Sequence, residues 1–210
     1  GTGMASGGAG ALNHFLERNV DRQMDRTRRR PLPLGTVSPA AALVFGVALV
    51  FGGGHISKSL CKVLNLAGFK VAVIDNREAY ANQDRFPEAF AVHAEEYEDV
   101  FPKLEVNEST YLVIVTRGHR DDMRVLRWAI ETRARYIAMI GSKRKTISVV
   151  KELVKEGIPR EAFEKIFAPM GLEIGAESPE EIAVSVAAEM IAMRRMPEGE
   201  WRKSSKSIFA

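Results

Sequence analysis

From Val47 onward, apolar runs of strand length alternate with stretches of helical period. VALVF is followed by a periodic stretch at Ile56–Ala67, then KVAVID, LVIVT, a second at Asp121–Arg133, YIAMI, and a third at Lys143–Lys155. This rhythm predicts βαβ units and a mostly parallel sheet with helices on both faces. VAVI, YLVIV and YIAMI are apolar throughout, as strands buried on both faces are. Gly157-Ile-Pro159 stops one helix, and Ser178-Pro179-Glu180-Glu181 starts the last, with Ser178 as N-cap and Glu181 three residues later. The tail EGEWRKSSKSIFA has no period and reads as a loose end.

Before Val47 the pattern differs. NHFLERNVDRQMDRTRRRPLP is polar, arginine-dense and closed by prolines. The apolar stretch from Pro39 to Gly54 holds about a dozen strongly apolar residues in a row, short of the roughly 20 of a spanning helix, and predicts a buried element. The expected organisation is a helical appendage over residues 1–46, a Rossmann-like doubly wound α/β domain over 47–196, and a flexible tail over 197–210.

Charge sharpens that division. The 210 residues carry a formal net charge of +3, and this surplus lies wholly within residues 1–50, where six arginines face Glu17, Asp21 and Asp25. The remaining chain is neutral, so it offers no basic stripe for nucleic acid. A single cysteine excludes an internal disulfide and points to a cytoplasmic setting. That residue, Cys61, falls on the apolar pattern Ile56, Leu60, Val63, Leu64 and is expected in the core.

The chemistry gathers in the loops after the strands. In ALVFGGGHISKSL a strand runs into Gly52-Gly53-Gly54, and a helix opening at His55 follows. Gly52 permits the tight turn, Gly54 admits a diphosphate to the helix N-terminus, and Ser57 is small enough for close helix–strand packing. Asp75 ends the next strand where a ribose-binding acid is expected, and Arg77 two residues on could meet a phosphate. The other reading of this turn is a tight α/β connection without a ligand. Thr116, Arg117, Gly118, His119 and Asp122 follow the strand YLVIV, and Gly141, Ser142, Lys143, Arg144 and Lys145 follow YIAMI. Together these loops are expected to project glycine backbone, hydroxyls and cations into one crevice suited to an anionic, phosphate-bearing ligand. Taken singly, each cation reads equally as a solvated helix start. No nucleophile motif or metal-ligand spacing is present.

The segments FGGGHISKSL, VIDNREAYANQDRFPEA, VIVTRGHRDDMRVL, YIAMIGSKRK and APMGLEIGAESPEEIAVSVAAEMIA resemble the C-terminal Rossmann domain of the xanthine dehydrogenase accessory (XdhC/CoxI) family. The resemblance implies an accessory protein that binds molybdenum cofactor (molybdopterin) and helps deliver it, in sulfurated form, to xanthine dehydrogenase-type molybdenum hydroxylases. It further implies a cysteine desulfurase as a possible second partner, a homodimer, and a wall of the crevice at Gly171–Glu177. NAD(P), with an oxidoreductase role, is the alternative. The small-residue and cysteine motif SGGC, usual in that family's N-terminal domain, is absent from this sequence.

Residues 1–46 resemble a different family, the UbiA-type prenyltransferases, and within it the protoheme IX farnesyltransferases. Asn13, Glu17, Asp21 and Asp25 recur every four residues before RTRRRPLP. Such spacing places them on one helix face, where carboxylates could hold Mg²⁺ against a prenyl diphosphate. One or two helices without a second acidic motif do not complete that site, so the segment reads as a remnant without prenyl transfer.

Overall fold

The computed structural model describes residues 46–196, 205 and 207–209. In chain order these form β1 (Val47–Phe51), α1 (His55–Leu66), β2 (Lys70–Ile74), β3 (Ala91–His93), the single turn α2 (Tyr97–Val100) and a 3-10 turn at Phe101–Lys103. Then come β4 (Thr110–Ile114), α3 (Gly118–Ala129), β5 (Tyr136–Met139), α4 (Lys143–Lys155), a 3-10 turn at Arg160–Phe163, β6 (Ile166–Phe167) and α5 (Pro179–Arg195). All six strands are parallel, in the order β3-β2-β1-β4-β5-β6. The order reverses between β1 and β4, and the carboxyl ends of the strands at such a reversal are where folds of this kind receive ligands.

The alternation of each strand divides its side chains between two cores. Ala48 and Val50 join Leu60, Cys61 and Leu64 of α1 and Val186 and Met190 of α5. Leu49 and Phe51 join Val125 and Leu126 of α3 and Val149 and Leu153 of α4. The doubly wound expectation therefore holds for the described residues, with both faces covered. The four longer strands and α4 lie where the apolar runs placed them. α3 begins and ends earlier than its apolar period suggested: the extended Arg117 is its N-cap, Gly118 follows with a φ of +81°, and the helix closes at Ala129. β3 and β6, of three and two residues, were not foreseen.

Cys61 is fully buried, and burial, helped by Glu88, pushes its thiol up to about 11, which marks it as packing. The tail is not wholly loose. Ser207 Oγ donates to Ile166 O and accepts from Ala168 N–H, and Ile208 N–H donates to Ala168 O, so these residues line the free edge of β6. Ser205 Oγ donates to the buried carboxylate of Glu189, which also accepts from Gly171 N–H and Tyr136 O–H. A serine-rich tail carries no apolar period, and its anchoring by serine hydroxyls and one backbone bond is invisible to pattern reading. Among the described residues, no helix is long and apolar enough to cross a membrane.

Candidate functional site

The three glycines after β1 have separate duties. Gly52 has a φ of +107°, and a Cβ there would lie 2.4 Å from Val115 O, so this glycine presses the β1 turn against the end of β4. Its carbonyl accepts from the buried Ser57 Oγ at 2.5 Å. Gly53 could carry no side chain either, since a Cβ would lie 2.1 Å from Tyr80 O. Gly54 is the N-cap of α1 in an ordinary extended conformation, and its Cβ position has nothing within 4 Å. No side chain caps α1, and the first helical bond runs from Lys58 N–H to Gly54 O. The amides of Gly54, His55 and Ile56 thus have no acceptor among the described residues, at the positive end of the helix dipole and beside the open Cβ position of Gly54, while Ser57 is fully buried beneath them.

Asp75 and Arg77 are both at the end of β2, and they meet each other. The carboxylate accepts from Gly53 N–H at 2.8 Å, Arg77 N–H at 3.0 Å, and Arg77 Nε and Nη2 at 2.8 Å each. Burial acts to raise its pKa, but the hydrogen bonds from Arg77 and Gly53 outweigh this and hold it below the usual carboxylate value. The Arg77 guanidinium lies over the Tyr80 ring, 3.7 Å from its centre. Arg85 donates from Nε to Gly53 O at 2.9 Å. Neither Tyr80 nor Arg85 belongs to a motif in the sequence. They lie in an aperiodic loop whose role is set by contact with Gly53, and only the density of arginine and aromatic residues after Asp75 hinted at it.

The loop after β4 corrects one expectation. Thr116 and Asp122 do not project into the crevice: both are buried, and Thr116 Oγ1 donates to Asp122 Oδ1 at 2.6 Å. Lys145, read as one of the free cations, reaches from α4 to Asp122 Oδ2 at 2.5 Å. Burial raises the Asp122 carboxyl pKa, against the opposing pull of Lys145 and Thr116. The lysine stem passes over Gly141, where φ is +151° and a Cβ would lie 2.9 Å from Lys145 Cδ. These residues bind the β4 and β5 loops together. Arg117, Gly118, Lys143 and Arg144 are exposed, and His119 is partly so. Ser142 caps α4 by accepting from Lys145 N–H. The heads of α1, α3 and α4 therefore stand along one edge of the sheet, beside the reversal of strand order. Gly171–Glu177 follows β6; Met170 N–H is bonded to Met139 O and Leu172 N–H to Ser185 O, which fixes the segment between β5 and α5. Among the described residues, no group of three or more His, Cys, Asp or Glu could hold a metal ion. Asn13, Glu17, Asp21 and Asp25 lie outside the described residues.

The family model of the XdhC Rossmann domain matches residues 48–190, from β1 to α5. The chain belongs to the XdhC Rossmann-domain family. A crystal structure described as a xanthine dehydrogenase from Bacillus halodurans superposes with a TM-score of 0.63 at 27% identity, covering 71% of this chain and 44% of that one. Among curated relatives, a probable xanthine dehydrogenase subunit from Bacillus subtilis is 32% identical over 147 residues, and the uncharacterized protein YqeB of Escherichia coli is 29% identical over 152. The matched regions span 42% and 28% of those two relatives and 70% and 72% of this chain. A second family model, the UbiA prenyltransferase family, matches residues 1–71. Protoheme IX farnesyltransferases align over 25% of the chain or less. Where the two matches overlap, residues 48–71 form β1, α1 and the start of β2, so in the structure they belong to the XdhC domain.

Proposed function

We propose that the head of α1 receives the phosphate-bearing end of molybdenum cofactor, and that the chain acts as an accessory to a xanthine dehydrogenase-type molybdenum hydroxylase. The observation that carries this reading is the uncapped row of amides at Gly54, His55 and Ile56 with open space at Gly54, a cradle whose donors and dipole suit a phosphate. Family membership, and two relatives described as xanthine dehydrogenase proteins, support the hydroxylase as partner. The domain over residues 47–196 carries no positive surplus, so attraction for an anion comes from this edge: the α1 amides with His55, and Arg117, His119, Lys143 and Arg144 at the neighbouring helix heads. The bound cofactor would supply the molybdenum chemistry used by the hydroxylase, while the residues here hold and orient its anionic end. The buried Cys61 is no nucleophile for this site, and the arrangement favours a binding protein over a catalyst. A nicotinamide dinucleotide is the second reading, favoured by the strand order.

The test is to mix the chain with molybdopterin released from a molybdenum enzyme and pass it through gel filtration. Pterin co-eluting with the protein is expected. Saturable NADH binding with no pterin retained would replace this reading with the second.

A further inference from the structure

Asp75 stands where the acid of a dinucleotide fold meets a ribose diol, yet its carboxylate has no acceptor left for one. A carboxylate offers roughly four lone-pair sites, and here Gly53 N–H, Arg77 N–H, Arg77 Nε and Arg77 Nη2 occupy all of them. The residue is 1% exposed. Its donors belong to a connected unit. Arg77 is pinned on one side by the two-pronged pair with Asp75 and on the other by the Tyr80 ring, which Arg85 also approaches at 5.4 Å. Arg85 in turn takes the Gly53 carbonyl, so the segment 75–85 engages both polar backbone groups of Gly53, and Tyr80 O closes the space where its Cβ would be.

We infer that Asp75, Arg77, Tyr80 and Arg85 form a strap that holds the glycine turn in its binding shape, and that the site takes a phosphate or diphosphate group without reading a ribose diol. The inference rests on the phosphate site proposed above and narrows its ligand class to phosphate esters recognised apart from any ribose. For a ribose to reach Asp75 it would have to displace the guanidinium, breaking two charge-assisted bonds and leaving Arg77 unpaired over an aromatic ring. Asp75 is thus a positioning residue that acts on the ligand through the Gly53 amide.

Two measurements on the full chain test this. In titration calorimetry with inorganic pyrophosphate, ADP and 2′,3′-dideoxy-ADP, the two nucleotides are expected to bind within two-fold of each other. A loss of about ten-fold or more on removing the hydroxyls, the scale of lost hydrogen bonds to a charged group, would overturn the inference. Arg77→Ala, which uncovers carboxylate lone pairs, is expected to create a preference for ADP of about five-fold by the same reasoning, a gain that mere structural damage does not produce. Without ligand, the Gly53 amide is expected to exchange hydrogen slowly in the native chain and at least roughly ten-fold faster in Asp75→Ala, as release of a buried bond requires. Unchanged exchange would overturn the strap. If pyrophosphate fails to bind while exchange accelerates as expected, the strap stands and the phosphate site falls.

Discussion

A run of three glycines looks redundant in sequence, but each position answers a different constraint. Gly52 must have a positive φ and approach β4, Gly53 must let Tyr80 O close in, and Gly54 must leave its amide edge open. The sequence motif was sufficient to locate this turn and its acid. It could not show that Asp75 turns inward, because Arg77, Tyr80 and Arg85 become its neighbours only through an irregular loop. The consequence for stability has a definite sign. The Asp75 carboxyl is held below its ordinary value, so its contribution is fully present above the unfolded-state value of about 3.9 and is lost as pH falls through the lower native value. Asp75→Asn is expected to cost about 2 kcal/mol at neutral pH, on the scale of hydrogen bonds to a charged group. In urea unfolding followed across pH, the gap between variant and native chain should close below about pH 3.9. A gap constant to pH 2 would contradict the assignment.

Elements differed in how plainly the chain announced them. The strands VALVF, KVAVI, TYLVI and YIAM are continuous apolar runs buried on both faces. β3 and β6 escaped notice because three or two residues are too few to establish a period, and β3 lies half-covered at the sheet edge. The start of α5 was fully legible: the Ser178 side chain accepts from Glu181 N–H while Glu181 accepts from Ser178 N–H, closing the expected capping box. The helix that this box begins packs along α1, and Ser59 on α1 donates to Glu180 in its first turn at 3.0 Å. Ser178→Ala should lower the unfolding free energy by about 1 kcal/mol, read from the denaturation midpoint with an unchanged slope. Ser178→Asp should restore it, since aspartate caps equally well and favours the positive end of the dipole. Failure of the aspartate to rescue would mean that the serine acts by some contact other than capping.

At the scale of the molecule, an alternating sequence pattern becomes a parallel sheet whose order reverses between β1 and β4, and that reversal sets the uncapped head of α1 beside the loops that carry Arg117 and Lys143. The pairing of Asp122 with Thr116 and Lys145 shows why fewer residues reach the site than the loops promised: several polar residues at this edge fasten the loops to one another. What remains open at this edge is the exposed Arg117, Lys143 and Arg144 with the partly exposed His119, and the backbone at the head of α1, whose donors leave little trace in side-chain chemistry beyond the glycine that exposes them. Gly54→Asp examines that backbone directly. The position has ordinary extended geometry and free space, and aspartate is a favoured N-cap, so the variant should fold with equal or greater stability while its carboxylate occupies the cradle. The decisive measurement is the equilibrium affinity of the native chain and of Gly54→Asp for molybdopterin, with inorganic pyrophosphate as competitor. Binding by the native chain that pyrophosphate displaces is expected, weakened at least roughly ten-fold in the variant by loss of charge-assisted contacts; equal affinity in both proteins, indifferent to pyrophosphate, would show that the α1 head holds no phosphate.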